Sequence, residues 1–197
     1  LNKKDLSDPQ ELIIDDNGDF YISDHGDAHQ VKVFNAQGEL LRTIGTSGKP
    51  SVGKYDETKM HYPMGLTLTP SGELWVAEED YQPKRVSVWD SKGKFKKAFY
   101  GSTEYGGGGK IDPLDKTRFY YFGMEFKLDW EKGTDKITNI FYRRDNPKNI
   151  HFSNYNGDLA GNPGTPIYIN GRQYMTNTYT GYPTMGPVTA AIWLMED

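Results

Sequence analysis

The 197-residue chain is 36% hydrophobic, 25% charged and 14% aromatic, with a net charge of −4, the balance of a globular protein with a wet surface. The acidic average lacks the basic field that phosphate contacts demand, so nucleic acid is not an expected partner. No apolar run reaches the about 20 residues that span a bilayer, and the absence of cysteine excludes disulfides and thiolate metal sites.

From the N-terminus, Leu12 and Ile14 alternate before Asp16-Asn17-Gly18, where Asn-Gly supplies the positive φ of a tight hairpin. A second strand is predicted through Phe20, Tyr21 and Ile22, then a polar loop, then a third strand holding Val31 and Val33. Ala36-Gln37-Gly38 makes the next turn, and Leu40–Ile44 form a fourth strand. The same series returns further on. Pro9, Leu12, Gly18 and Phe20-Tyr21-Ile22 match Pro63, Leu66, Gly72 and Leu74-Trp75-Val76 at an offset of 54. One extra residue then enters, and Val31, Val33, Phe34 and Gly38 match Val86, Val88, Trp89 and Gly93 at an offset of 55. A four-stranded sheet with apolar residues on both parities cannot cover its own faces, so such units must stack.

Residues 9–45 and 63–101 resemble NHL repeats in the spacing of these prolines, glycines and apolar triplets, and in the Val-x-Val-aromatic third strand. The resemblance implies an all-β protein, a β-propeller of four-stranded antiparallel blades, commonly six. Ala28-His29-Gln30 and Pro83-Lys84-Arg85 depart from the family's usual Asn-His-Arg before the third strand. At about 40–45 residues per blade the chain holds about four, so it reads as part of one six-bladed domain. The remaining blades are then expected from absent chain or a partner. The chain opens Leu1-Asn2-Lys3 without an initiating Met or a signal-peptide pattern, which reads as a processed product or an excerpt. The family is often secreted or envelope-associated in bacteria, so the resemblance also implies an extracytoplasmic home.

The second half shows weaker repetition. Tyr120, Phe122, Met124, Phe126, Leu128 and Trp130 alternate with Tyr121, Gly123, Glu125, Lys127 and Asp129, a period-2 pattern. Glu131–Thr134 turns into a strand over 137–142, a hairpin is centred on Asn170-Gly171, and Ala190–Met195 reads as a closing strand. The blades are accordingly placed at 8–45, 62–101, 119–155 and 164–197 of a single domain.

In a propeller, the loop between the second and third strands opens on the same rim as the connector between blades. The segments 24–30, 78–85, 46–62 and 102–118 are therefore expected together, and long loops on a rigid scaffold commonly carry binding. Asp24, His25, Asp27 and His29 are of the types that ligate Zn, Mn or Fe, against the simpler reading that Asp24 binds backbone N–H groups in a solvated loop. His61 could join them or be a packing residue. Glu78, Glu79 and Asp80 could act as acid and base or hold Ca²⁺, or form an ion-paired rim with Lys84 and Arg85. Tyr81 belongs to the same loop. Asp15–Asp19 lacks the downstream Glu of a calcium loop and reads as a hairpin turn. Glu104–Lys110 lacks the Ser or Thr of a phosphate loop, leaving Tyr105 as a stacking candidate. Glu125, mid-strand among aromatics, either faces a central channel or pairs with Lys127. His151 lies outside any pattern.

The ligand-binding candidates are thus Asp24, His25, His29, His61, Glu78, Glu79, Tyr81, Arg85, Tyr105 and Glu125. The favoured reading is a non-catalytic scaffold for a protein, a glycan or another small ligand, with no cofactor. The alternative is a hydrolase or lyase dependent on Ca or Zn, since some propellers of this resemblance hold either ion in the central channel.

Overall fold

In a computed structural model, residues 4–79, 83–101, 109–121, 123–140, 166–179 and 189–195 are described, those of 175–179 and 189–195 by their backbone only. Every element among them is a β-strand or turn. The chain divides into two compact units. The first takes in residues 1–50 and 56–104, the second 51–55 and 105–197.

The first unit is a pair of four-stranded antiparallel meanders. β1 (Pro9–Ile14), β2 (Phe20–Asp24), β3 (Gln30–Phe34) and β4 (Leu40–Ile44) form one sheet. β6 (Pro63–Leu68), β7 (Leu74–Glu78), β8 (Arg85–Trp89) and β9 (Phe95–Tyr100) form the other. Their registers coincide. Pro9 pairs with Asp24 and Leu12 with Ile22 across a bulge; Pro63 pairs with Glu78 and Leu66 with Val76 across an equivalent one. A second bulge recurs at Val33/Phe34 and Val88/Trp89. The one-residue change of offset lies in the loops, where residues 25–29 bridge Asp24 to Gln30 and residues 79–84 bridge Glu78 to Arg85.

The turns are built alike. Asp15, at the first hairpin, accepts the amides of Asn17 and Asp19 through one carboxylate oxygen. Asn35 and Asp90 do the same for the residues two and four beyond them. These Asx turns satisfy backbone donors that the ladder leaves open. The segment 15–19 is thus a hairpin turn, as its place in the repeat predicts.

The sheets pack face to face. Tyr21, Val31, Val33 and Ile44 of the first meet Leu66, Leu74, Val76 and Trp89 of the second, with Met60 of the connector in the same buried cluster. Two polar links stitch the interface: Ser23 Oγ donates to the Met64 carbonyl at 2.9 Å, and the Leu66 amide donates to Glu11 Oε2 at 2.6 Å. The inner strands β2, β3, β7 and β8 carry most of the burial, whereas β1 and β4 are largely exposed.

The second unit holds a five-stranded sheet in the order β10 (Lys110–Ile111), β11 (Arg118–Tyr121), β12 (Met124–Asp129), β13 (Thr134–Ile140) and β5 (Gly53–Lys54). It also holds the meander β14 (Pro166–Ile169), β15 (Arg172–Tyr179) and β16 (Thr189–Met195). The alternating run 120–130 is two strands rather than one. Gly123, at φ 74°, turns the chain so that Tyr121 pairs with Met124 and Phe119 with Phe126. The alternation survives because both strands bury the same parity. The sheet also starts at Lys110, ahead of the expected 119, and takes its edge strand from the connector at 53–54. The turn at Asn170-Gly171 is as expected, with both residues at positive φ, the combination of a two-residue hairpin.

Candidate functional site

Asp24 and Glu78, which end equivalent strands, organise one end of the sheet pair. Asp24 is fully buried. Its carboxylate accepts the amides of Ser7 at 3.1 Å and Asp8 at 2.6 Å, and the Lys32 ammonium. Burial alone would push this carboxyl up; the Lys32 ammonium and the two amides more than reverse that and hold it below the usual carboxylate range. Glu78 repeats the arrangement in the second sheet. Its Oε2 accepts the His61 amide at 3.0 Å, and its Oε1 accepts Arg85 Nε at 2.8 Å and Ser87 Oγ at 2.7 Å. Burial pushes the Glu78 carboxyl up, with Arg85 and the other donors pulling against it.

The correspondence extends to the main chain. Ser7 and His61, 54 residues apart, each donate to the carboxylate that ends the second strand. The next residues, Asp8 and Tyr62, each accept an amide from beyond it, from His25 at 2.9 Å and Glu79 at 3.0 Å. Arg85 goes further and donates to the carbonyls of Glu57 at 2.9 Å and Lys59 at 2.6 Å, pinning the long connector against the second sheet.

These anchors bring four rings together. His25 and His29 come from the β2–β3 loop, His61 and Tyr62 from the connector. Tyr62 lies 5.0 Å from His25 and 5.2 Å from His29, both edge-on, and 4.2 Å from His61, centroid to centroid. His29 and His61 are 5.0 Å apart. The Tyr62 amide donates to His29 Nδ1 at 3.2 Å, so that nitrogen serves as an acceptor. His29 and Tyr62 both have φ of 47°, a left-handed backbone that residues other than Gly seldom adopt. The loop also requires Gly26, where a Cβ would stand 2.5 Å from the Ser7 side chain.

Sequence reasoning thus placed Asp24, His25, His29, His61, Glu78 and Arg85 in one region, and the structure brings these six together. Their roles separate. Asp24, Glu78 and Arg85 are buried anchors, His61 is buried beside them, and His25 and His29 line the cluster. Glu79 is exposed. Tyr81, Tyr105, Asp80 and His151 lie outside the described residues. Glu125 belongs to the second unit and pairs with Arg118 at 2.7 Å and with Thr138; Lys127, its expected partner, instead reaches Asp115. Arg118 stands on the neighbouring strand, two residues from Tyr120, which pairs directly with Glu125.

Tyr62 escaped the sequence reading, although its place directly before the repeat's first proline, equivalent to Asp8, could have marked it. So did Asp112. This fully buried carboxylate accepts the hydroxyls of Tyr120 at 3.0 Å and Tyr168 at 2.6 Å, and Gln173 Nε2 at 3.1 Å. Against the cost of burial, these donors and two amides hold it below its usual range, while burial and Asp112 push the Tyr168 hydroxyl up to about 12. The network ties β14 and β15 to β10 and β11. Nothing local in Ile111-Asp112-Pro113 announces it, because two of its partners, Tyr168 and Gln173, lie more than 50 residues away.

Among the described residues, no three His, Asp or Glu side chains are grouped to hold a metal ion. Asp24 and Glu78 are engaged with protein donors, and His29 Nδ1 with an amide.

No family model matches this chain. It is 28% identical over 96 residues to a probable peptidyl-α-hydroxyglycine α-amidating lyase of Caenorhabditis elegans, an alignment covering 49% of this chain and 26% of that protein. The chain therefore spans about a quarter of the curated relative it matches. A crystal structure of a protein from Lactobacillus plantarum covers 94% of this chain and 57% of its own, at 16% identity and a TM-score of 0.31.

Proposed function

We propose that this chain is a binding domain that takes a protein or glycan ligand at the loop-bearing end of its first two sheets. The observation that supports this is the convergence of the β2–β3 loop and the connector on Tyr62, a ring 40% exposed against His25 and His29. Asp8, Asp27 and Glu79 add exposed carboxylates around it. An aromatic anchor with a polar rim is the chemistry of protein and sugar recognition. The same reading takes the paired sheets as consecutive blades of a propeller of the NHL type.

The test is a glycan array together with a displayed peptide library, probed with the full chain and with Tyr62→Ala. Binding that Tyr62→Ala abolishes supports the reading. Binding indifferent to Tyr62, or none on either array, counts against it.

A second reading, a metal-dependent hydrolase or lyase, is favoured by the partial sequence similarity to the probable lyase. Turnover of a peptidyl-α-hydroxyglycine by the purified chain, lost on chelation, would replace the first reading with this one.

A further inference from the structure

We infer that Asn170-Gly171 is a site of spontaneous deamidation, and that the backbone isomer it yields unfastens the β14–β15 hairpin from Asp112. The inference concerns the second unit and stands apart from the binding reading.

The sequence holds three Asn-Gly pairs, at 17–18, 156–157 and 170–171. The second lies outside the described residues. In such a pair the glycine nitrogen, having lost its proton, attacks the asparagine Cγ. An N–Cγ bond forms, the Cγ–Nδ2 bond breaks, and ammonia leaves with the proton. Water then opens the cyclic imide at either carbonyl. Opening at Cγ gives aspartate. Opening at the main-chain carbon gives isoaspartate, with one extra methylene in the backbone.

The two described pairs differ where this chemistry starts. The Gly18 amide donates to the Asp15 carbonyl at 3.0 Å, so removing its proton costs that bond. Asn17 is itself held: its amide donates to Asp15 Oδ1 at 2.9 Å and its Nδ2 to Asp15 Oδ2 at 3.4 Å. Asp15, Asp16 and Asp19 flank this turn with negative charge, which disfavours a nitrogen anion. Gly171 has none of these restraints. Among the described residues its amide meets no acceptor, and Asn170 and Gly171 are both exposed. They stand at φ 52° and 77° at a hairpin tip so open that a Cβ added to Gly171 would touch nothing. Arg172 follows, a positive charge that favours the anion.

The same turn sets the register in which Ile169 faces Arg172 and Tyr168 faces Gln173. Tyr168 and Gln173 both donate to Asp112 Oδ2, at 2.6 Å and 3.1 Å. A methylene inserted at position 170 lengthens the turn between them, and the two donors lose the register that aims them at one carboxylate.

The experiment incubates the full chain in mildly alkaline buffer made with ¹⁸O-labelled water and maps its peptides by mass spectrometry. Labelled aspartate and isoaspartate should accumulate at position 170 about tenfold faster than at position 17, the factor that one hydrogen bond on the attacking nitrogen implies. In urea, which removes the turn, that ratio should fall. Equal rates in the folded chain, or a ratio unchanged in urea, would overturn the assignment. The isoaspartate form is then separated and its hydrogen exchange over 166–179 is compared with that of Asn170→Asp. That variant carries the same charge on an ordinary backbone and tolerates the left-handed conformation. The isoaspartate form should lose protection there while Asn170→Asp keeps it. Equal protection in the two would contradict the unfastening. Should the variant not fold, the unaged wild type serves as the reference.

Discussion

Asp24 shows how a residue's surroundings select its role. A carboxylate in a loop of Asp and His is a fair metal ligand by residue type, yet its donors are two amides and a lysine. Its folded pKa lies below the ordinary value of about 3.9, so its contribution to stability is full above about pH 4 and is lost as the pH falls through the lowered folded value. Asp24→Asn should cost about 2–3 kcal/mol at neutral pH. Urea denaturation at a series of pH values should show that deficit shrinking once the wild-type carboxyl protonates. Glu78 and Arg85 are buried as a pair, with side chains 1% and 0% exposed. Glu78→Gln leaves Arg85 without a counter-charge and should cost about 3–5 kcal/mol by the same denaturation. A loss well under 1 kcal/mol would mean that water reaches this pair.

At the scale of the element, the repeat was legible because its bonds are local. The turn residues sit two and four positions from the amides they satisfy, and the apolar positions follow the pleat. Both features survive in sequence as fixed offsets. The five-stranded sheet was less legible for two reasons. Its hairpin at Gly123 preserves the parity of the flanking strands, so the alternation reads as one strand. Its edge strand Gly53–Lys54 joins from a distant part of the chain, which no local pattern records. The candidate site divides the same way. Its anchors fell at repeat positions, whereas Tyr62 and the Asp112 network depend on contacts between distant segments. The face between the first two sheets is the element that holds the unit together. Leu74, 1% exposed in that face, should cost about 2–5 kcal/mol on replacement by Ala. Thermal or chemical denaturation measures this directly, and a loss below about 1 kcal/mol would place Leu74 outside a packed core.

For the whole molecule, the weight rests on the first unit. Its two sheets repeat each other in register, in bulges, in turn chemistry and in the carboxylate that receives the entering chain. That repetition carries the loops of the first sheet to the connector of the second, and so creates the ring cluster on which the functional readings draw. The most direct check is a methyl-resolved NOE spectrum of the full chain. Cross-peaks should join the methyls of Val31 and Val33 to those of Leu66, Leu74 and Val76, and the Tyr62 ring to the His25 and His29 rings. Cross-peaks confined within each sheet, with none between the two sets, would contradict the pairing and everything built on it.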